Sequence, residues 1–252
     1  MSASEIALIG IAAFMAGAMN SVAGGGTFFS FPALLAVGVP PVMANASNAV
    51  ALWPASLAGA LASRDALYKY RDRLLPLSMV AFLGGLLGGL LLLTVQDRLF
   101  TQLIPWLLGT ATLLFALSGS LSRLLARVRG TTGPSHGLGG TVFQFLVSVY
   151  GGFFGAGMGI VMIAALAIQG HTDLNEINAL KNWLSAVIYS VAVVTFVVAG
   201  AVSWPHTWIM LVTAVAGGYL GARLARRLPA IWLRRMVIAI GCGLTVYYAL
   251  PR

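Results

Sequence analysis

From Ile6 to Ser63 the sequence holds no Asp, Glu, Lys or Arg. Only 8% of its 252 residues are charged and 59% are hydrophobic, and the mean hydropathy is +0.92. A soluble domain carries roughly 25% charged residues. With so few, this chain cannot cover a core with polar surface, and its expected solvent is lipid. At ~20 residues per full crossing the length suits about eight to ten membrane helices.

The uncharged stretch is too long for one crossing, so Gly and Pro must punctuate it. The spacing predicts a helix from Ile6 to Val22, a break at Gly24-Gly25-Gly26, a short apolar segment from Thr27 to Val37, a stop at Gly38-Val39-Pro40-Pro41, and a third helix from Val42 to Ala62. A charged loop, Arg64 to Arg73, precedes helices at Leu74–Val95 and Leu99–Leu121. The second half repeats the plan. It has a helix from Leu138 to Phe154, the break Gly155-Ala156-Gly157-Met158-Gly159, a short segment from Ile160 to Ile168, and helices at Ile177–Ala199, Thr207–Ala222 and Ile231–Leu250.

One offset, 133 residues, links Gly24 to Gly157, Gly26 to Gly159, Asn45 to Asn178, Gly84 to Gly217, Gly85 to Gly218 and Gly88 to Gly221. Basic residues mark cytoplasmic loops. Arg64, Lys69, Arg71 and Arg73 have no Lys or Arg opposite them in the second half, between Val197 and His206. Conversely, Arg223, Arg226, Arg227, Arg234 and Arg235 face a first-half stretch, Leu90 to Gln102, that holds only Arg98 beside Asp97. The clusters swap sides, so the repeats are expected to be inverted. Such repeats are typical of secondary transporters, with a ligand site near mid-membrane. The expected fold is all-α: a polytopic transmembrane helical bundle of two inverted-topology repeats, residues 1–122 and 138–252, joined by a cytoplasmic linker, 123–137, with short half-helices at the Gly-rich breaks. An odd number of crossings before Arg64 would put both termini outside.

The net charge of +9 lies in short clusters between apolar stretches. No stripe interleaves cations with aromatics, so nucleic acid is not an expected partner. Cys242 is the sole cysteine, which excludes an intrachain disulfide and a Cys-based metal site. The start, Met1 to Glu5, lacks a basic n-region, so no cleavable signal peptide is expected.

Polar residues within apolar helices are costly, and therefore informative. Asn20 and Ser21 precede the first glycine break; Thr27 follows it. Asn45, Ser47 and Asn48 open the third helix, and Asn178, Lys181 and Asn182 are their counterparts. A glycine break followed by a half-helix places unpaired N–H groups where they favour an anion. Candidate substrate contacts are Asn20, Gly24, Gly25, Gly26, Thr27, Asn45, Asn48, Gly157, Gly159, Asn178, Lys181 and Asn182. Bland alternatives stay open for each group. The glycines suit close packing, the amides suit interhelical bonding, and Lys181 suits a side chain snorkelling from a helix end. His171, Asp173 and Glu176 fit a solvated loop or a helix cap as well as a proton relay. No Walker A loop, metal-ligand spacing or nucleophilic triad stands out.

The run from Asn20 to Thr27, then Phe31-Pro32-Ala33-Leu34-Leu35, Val37-Gly38-Val39-Pro40-Pro41 and Ala44-Asn45-Ala46-Ser47-Asn48, resembles the TauE/SafE sulfite-exporter family. Tyr150 to Gly159 is similar to that family's second glycine motif, with Met158 where a third glycine is common. The resemblance spans nearly the whole chain. It implies a bacterial-type inner-membrane, multi-pass carrier that exports sulfite, a sulfonate or a related small anion, without a cofactor or metal. The expectation is a non-enzymatic secondary transporter working by alternating access. Its partners are a small anion and the lipid bilayer, with homo-oligomerisation left open. A passive anion channel, a membrane enzyme and a structural membrane subunit are the rival readings.

Overall fold

The computed structural model describes residues 1–22, 25–62, 67–68, 71–128, 138–169, 171, 173–224 and 230–250. Among them the only regular elements longer than a turn are α-helices, and no strand occurs. In a bilayer the backbone finds no water, so its polar groups must bond within each segment, and a helix does this locally. In chain order they are α1 (Ala3–Val22), α2 (Thr27–Ala36), α3 (Pro41–Ala62), α4 (Arg71–Thr94), α5 (Asp97–Val128), α6 (Leu138–Phe153), α7 (Met158–Ile168), α8 (Leu174–Val198), α9 (Trp204–Leu224) and α10 (Ala230–Ala249).

Four of these helices contain stretches long and apolar enough to cross a membrane: Ala3–Asn20, Leu74–Thr94, Asp97–Leu117 and Glu176–Val198. With 22 and 21 residues, α3 and α9 reach ~30 Å at 1.5 Å per residue, the depth of the hydrocarbon. At 10 and 11 residues, α2 and α7 cover about half of it. The outer surface is apolar: Trp106, Leu75 and Val212 are each at least 70% exposed. That is a surface for lipid.

The expected half-helices and their order are present. Helices start two or three residues early, at Ala3, Arg71, Asp97, Met158, Leu174 and Trp204 rather than Ile6, Leu74, Leu99, Ile160, Ile177 and Thr207, and one end differs more. The stretch expected as linker, 123–137, is helical up to Val128, because Leu124, Leu125, Ala126 and Arg127 are good helix formers and continue α5. Residues 129–137 lie outside the described residues, as do Arg64, Lys69, Arg226 and Arg227.

Two spatial relationships position the interior. First, α3, α4 and α5 start at residues 41, 71 and 97, and α8, α9 and α10 start at 174, 204 and 230, each 133 later. The packing follows the same exchange. Helix α1 lies along α9 and α6 along α4; α3 touches α9 and α8 touches α4; α3 pairs with α8 and α5 with α10. At the first two seams a glycine lets backbones touch. A Cβ on Gly217 would strike the Phe14 carbonyl, and one on its counterpart Gly84 would strike Ser148 and the Phe145 carbonyl.

Second, equivalent helices at the centre run antiparallel. Along α3, Ser47 accepts from Ser203 N at 2.9 Å, Trp53 donates to Ser190 Oγ at 2.8 Å, and the Gly59 carbonyl accepts from Asn182 Nδ2 at 3.4 Å. Numbers rise along α3 as they fall from Ser203, in the loop beyond α8, to Ser190 and Asn182 on α8. The α5–α10 pair behaves alike, with Gly109 facing Thr245 and Gly241 facing Thr112.

Candidate functional site

Both short helices fold back along the helix before them. In the second half, Gln169 Nε2 at the end of α7 donates to the Gly140 carbonyl at the start of α6 (3.4 Å). Further in, Gln144 Nε2 donates to Met162 Sδ at 2.8 Å, and Gly151 lies against Met158. The α6–α7 pair is therefore a hairpin whose two ends lie together. In the first half, Gly26 at the head of α2 packs on the Ala16 backbone of α1. Leu8 and Ala12 share a cleft with Pro32 and Ala36, so α2 retraces α1.

The tip of the second hairpin is a tight reversal. Gly155 and Gly157 have φ of 77° and 72°, a left-handed conformation that a Cβ disfavours. Buried carbonyls at such a turn need donors. Tyr150 Oη donates to the Ala156 carbonyl at 2.5 Å and Tyr189 Oη to the Gly155 carbonyl at 3.5 Å. Met158 N and Ile160 N are bonded to the carbonyls of Gly155 and Gly157. The first tip has Gly25 at φ 92°, with Phe28 N and Phe29 N bonded to the Gly25 and Gly26 carbonyls.

A polar cluster sits at the first tip. Asn48 Nδ2 donates to Thr27 Oγ1 at 3.3 Å. Ser30 Oγ lies within reach of both the Gly26 carbonyl, at 3.2 Å, and Asn48 Oδ1. Thr27, Ser30 and Asn48 are at most 3% exposed. On the second tip, Gly159 opens a gap that the Lys181 side chain fills. The Lys181 Cδ lies 3.6 Å from where a Gly159 Cβ would be. Lys181 is half-buried, and its side chain brings a cation to the head of α7.

The two tips meet. Asn45 Nδ2 donates to the Phe153 carbonyl at 2.8 Å, and the Phe31 and Phe154 rings lie edge to face, 5.6 Å between centroids. Asn45 Oδ1 is buried with no hydrogen-bond partner among the described residues. The α2 and α7 N-termini thus converge inside the bundle, and the positive ends of both helix dipoles favour negative charge there.

The structure brings together Gly25, Gly26, Thr27 and Asn48 at one tip, and Gly157, Gly159 and Lys181 at the other. It departs from the sequence reading at three positions. The Asn45 donor is occupied by Phe153, so what Asn45 leaves unpaired is an acceptor. Asn182 bonds the α3 backbone at the far end of the α3–α8 seam. Asn178 is exposed, although its counterpart Asn45 is 2% exposed. Asn20 is half-buried on the last turn of α1, and Gly24 lies outside the described residues. Ser30 was missed, although it and Thr27 are the only polar residues of α2, one turn apart on one face. Tyr150 and Tyr189 were missed too. The legible sign was a phenol within an apolar helix, whose O–H finds a partner when buried.

Among the described residues no group of His, Cys, Asp and Glu has the arrangement of a metal site. His171 is 8% exposed. Asp173 stands directly before α8, where its carbonyl accepts from Ile177 N at 2.9 Å.

Apolar helices long enough to cross a membrane, packed with two hairpins whose second arms are short, mark a multi-pass membrane protein. Comparison with known proteins gives the family. Residues 9–248 match the family described as Sulfite exporter TauE/SafE, and the chain belongs to it. A "Probable membrane transporter protein" of Haemophilus influenzae is 27% identical over 246 residues, covering 95% of this chain and 92% of the relative. The "Probable membrane transporter protein YfcA" of Escherichia coli K12 is 28% identical over 233 residues, covering 90% and 83%. The "Probable membrane transporter protein ORF9" of Sinorhizobium sp is 25% identical over 252 residues, covering 96% and 91%. No solved structure matches the chain.

Proposed function

We propose that this chain is a secondary carrier that exports a small oxyanion, such as sulfite or a sulfonate, across a bacterial-type inner membrane. The observation that carries this reading is the convergence of two helix N-termini at opposed hairpin tips. One is lined by Thr27, Ser30 and Asn48, the other by Lys181 against Gly159. Hydroxyl and amide donors, two helix dipoles and one cation suit a ligand that is negative and rich in acceptors. The family description, which names sulfite, supports an anion of this size.

Alternating access follows from two inverted repeats. The shared 133-residue spacing of helix starts and the exchanged helix contacts support a twofold relation between residues 1–122 and 138–252. Equivalent helices running antiparallel, as α3 and α8 do, support an axis across the helices, in the bilayer plane. The swapped basic clusters agree. Rocking one repeat against the other would then open the tips to each side in turn.

The test is efflux and uptake in proteoliposomes with radiolabelled sulfite, a sulfonate and a carboxylate control. Saturable transport of the sulfur oxyanions is expected, reduced at least tenfold in Asn48→Ala and in Lys181→Ala. Transport of no anion, or unaltered transport in both variants, overturns the reading. Flux that fails to saturate and shows no counterflow identifies a passive channel instead.

A further inference from the structure

The twofold plan is broken at one place. Between the hairpin tips and the face that carries Asp97, four phenylalanine rings from three elements interlock. Phe31 comes from α2, Phe100 from the first turn of α5, and Phe153 and Phe154 from the second tip. Phe100 lies 6.3 Å from Phe31, 5.8 Å from Phe153 and 6.4 Å from Phe154, all in edge-to-face geometry. Phe31 closes the set against Phe154. Phe31 and Phe100 are fully buried, and Phe154 is 4% exposed. One polar bond crosses the plug, from Asn45 to the Phe153 carbonyl.

Shifting each ring by the 133-residue repeat gives its counterpart toward the opposite face. Phe31 becomes Ala164, Phe100 becomes Leu233, Phe153 becomes Asn20 and Phe154 becomes Ser21. None is aromatic. Asn45 becomes Asn178, which is exposed. The same fold therefore carries a four-ring cluster on one side of the tips and nothing equivalent in sequence on the other.

We propose that Phe31, Phe100, Phe153 and Phe154 form a one-sided gate across the path between the hairpin tips and the Asp97 face, with Asn45 as its latch. This rests on the carrier reading above for the path itself. Each edge-to-face pair adds attraction beyond area burial, so the plug excludes water and small anions when closed. The latch is unbalanced, because Asn45 Oδ1 is buried without a donor among the described residues, and an unmade bond of this kind opposes burial. Opening lets water reach that oxygen, which makes the closed state easier to leave. The gate moves with the second hairpin, because two of its rings and the carbonyl that accepts from Asn45 belong to the α6–α7 tip.

The test is thiol access, which needs no substrate. In a Cys242→Ser background, a Ser30→Cys thiol lies at the first hairpin tip, with the plug between it and the Asp97 face. Its labelling by a membrane-impermeant methanethiosulfonate is followed from each side of oriented vesicles. With the four rings intact, labelling from the Asp97 face is expected to be slow. Phe100→Ala, which removes three ring contacts, and Asn45→Ala, which removes the latch, are each expected to speed it at least roughly fivefold. Phe100→Leu, which keeps most of the volume, should fall between. Unchanged labelling from that face in Asn45→Ala and Phe100→Leu, in protein that keeps the parent melting profile, overturns the gate. If access shifts as expected while the protein with native Ser30 transports no anion, the gate stands and the carrier reading falls.

Discussion

Trp53 donates its indole N–H to Ser190 Oγ at 2.8 Å, across the seam where α3 and α8 run antiparallel. The two residues are 137 apart in sequence, and this bond is one of the few polar ties between the halves of the chain. Interhelical bonds in membranes are worth about 0.6 kcal/mol on average and up to ~1.7. Ser190→Ala should therefore lower the thermal midpoint in detergent by about 2 °C. Trp53→Phe with Ser190→Ala should be no less stable than Trp53→Phe alone, since the orphaned indole is then gone. A double variant that loses the sum of both effects would mean that the bond contributes nothing.

The α1–α9 and α4–α6 seams depend on absent side chains. A methyl at Gly217 would meet the Phe14 carbonyl, and one at Gly152 the Gly85 backbone, whereas Gly243 has nothing within 4 Å of its added Cβ. Backbone cannot step aside as a flexible side chain can. Gly217→Ala and Gly152→Ala should each destabilise by about 1–3 kcal/mol through overpacking. Gly243→Ala, within α10, should be neutral or stabilising by about 0.5–1 kcal/mol. Fluorescence-detected melting of the three variants side by side checks this ordering.

Inversion of the repeats is open to a direct measurement. Pro40 and Asp173 are equivalent by the 133-residue spacing, both are exposed, and each sits at the start of the central helix of its half. In a Cys242→Ser background, Pro40→Cys and Asp173→Cys should label from opposite sides of the membrane. Labelling of both from one side would make the repeats parallel and remove the basis for alternating access.

The helices were legible because each is an apolar run ended by Gly, Pro or charge, and that information is local. The half-length of α2 and α7 followed from punctuation alone, whereas α8 starts at Leu174, three residues before the expected Ile177. The reach of α5 to Val128 did not, since the charge of Arg123 and Arg127 suggests a loop although both favour a helix. The site was half legible. Thr27 and Asn48 belong together because polar groups in lipid seek each other, and they are bonded. That the Asn45 amide nitrogen would be occupied by Phe153, 108 residues away, is a matter of how one hairpin leans on the other half. No periodicity encodes it. The same holds for the ring cluster, whose members come from α2, α5 and the second tip.

The cluster at the first tip makes a prediction about charge. Asn48 bridges Thr27 and Ser30 with a neutral amide, and no acidic residue occurs between Ile6 and Ser63. Asn48→Asp keeps the size but places a carboxylate where the α2 N-terminus and its hydroxyls would receive the substrate. A fixed negative charge there repels an anion and competes for its donors. Transport of labelled sulfite should fall at least tenfold, about 1.4 kcal/mol, and below that of Asn48→Ala. Lys181→Gln should weaken apparent affinity while leaving the polar cluster of the other tip intact, and Lys181→Arg should restore part of it by keeping the charge. Initial rates over a range of sulfite concentration separate these cases. An Asn48→Asp protein that matches Asn48→Ala in rate and affinity would place the anion away from α2, leaving Lys181 and the α7 tip as its only seat.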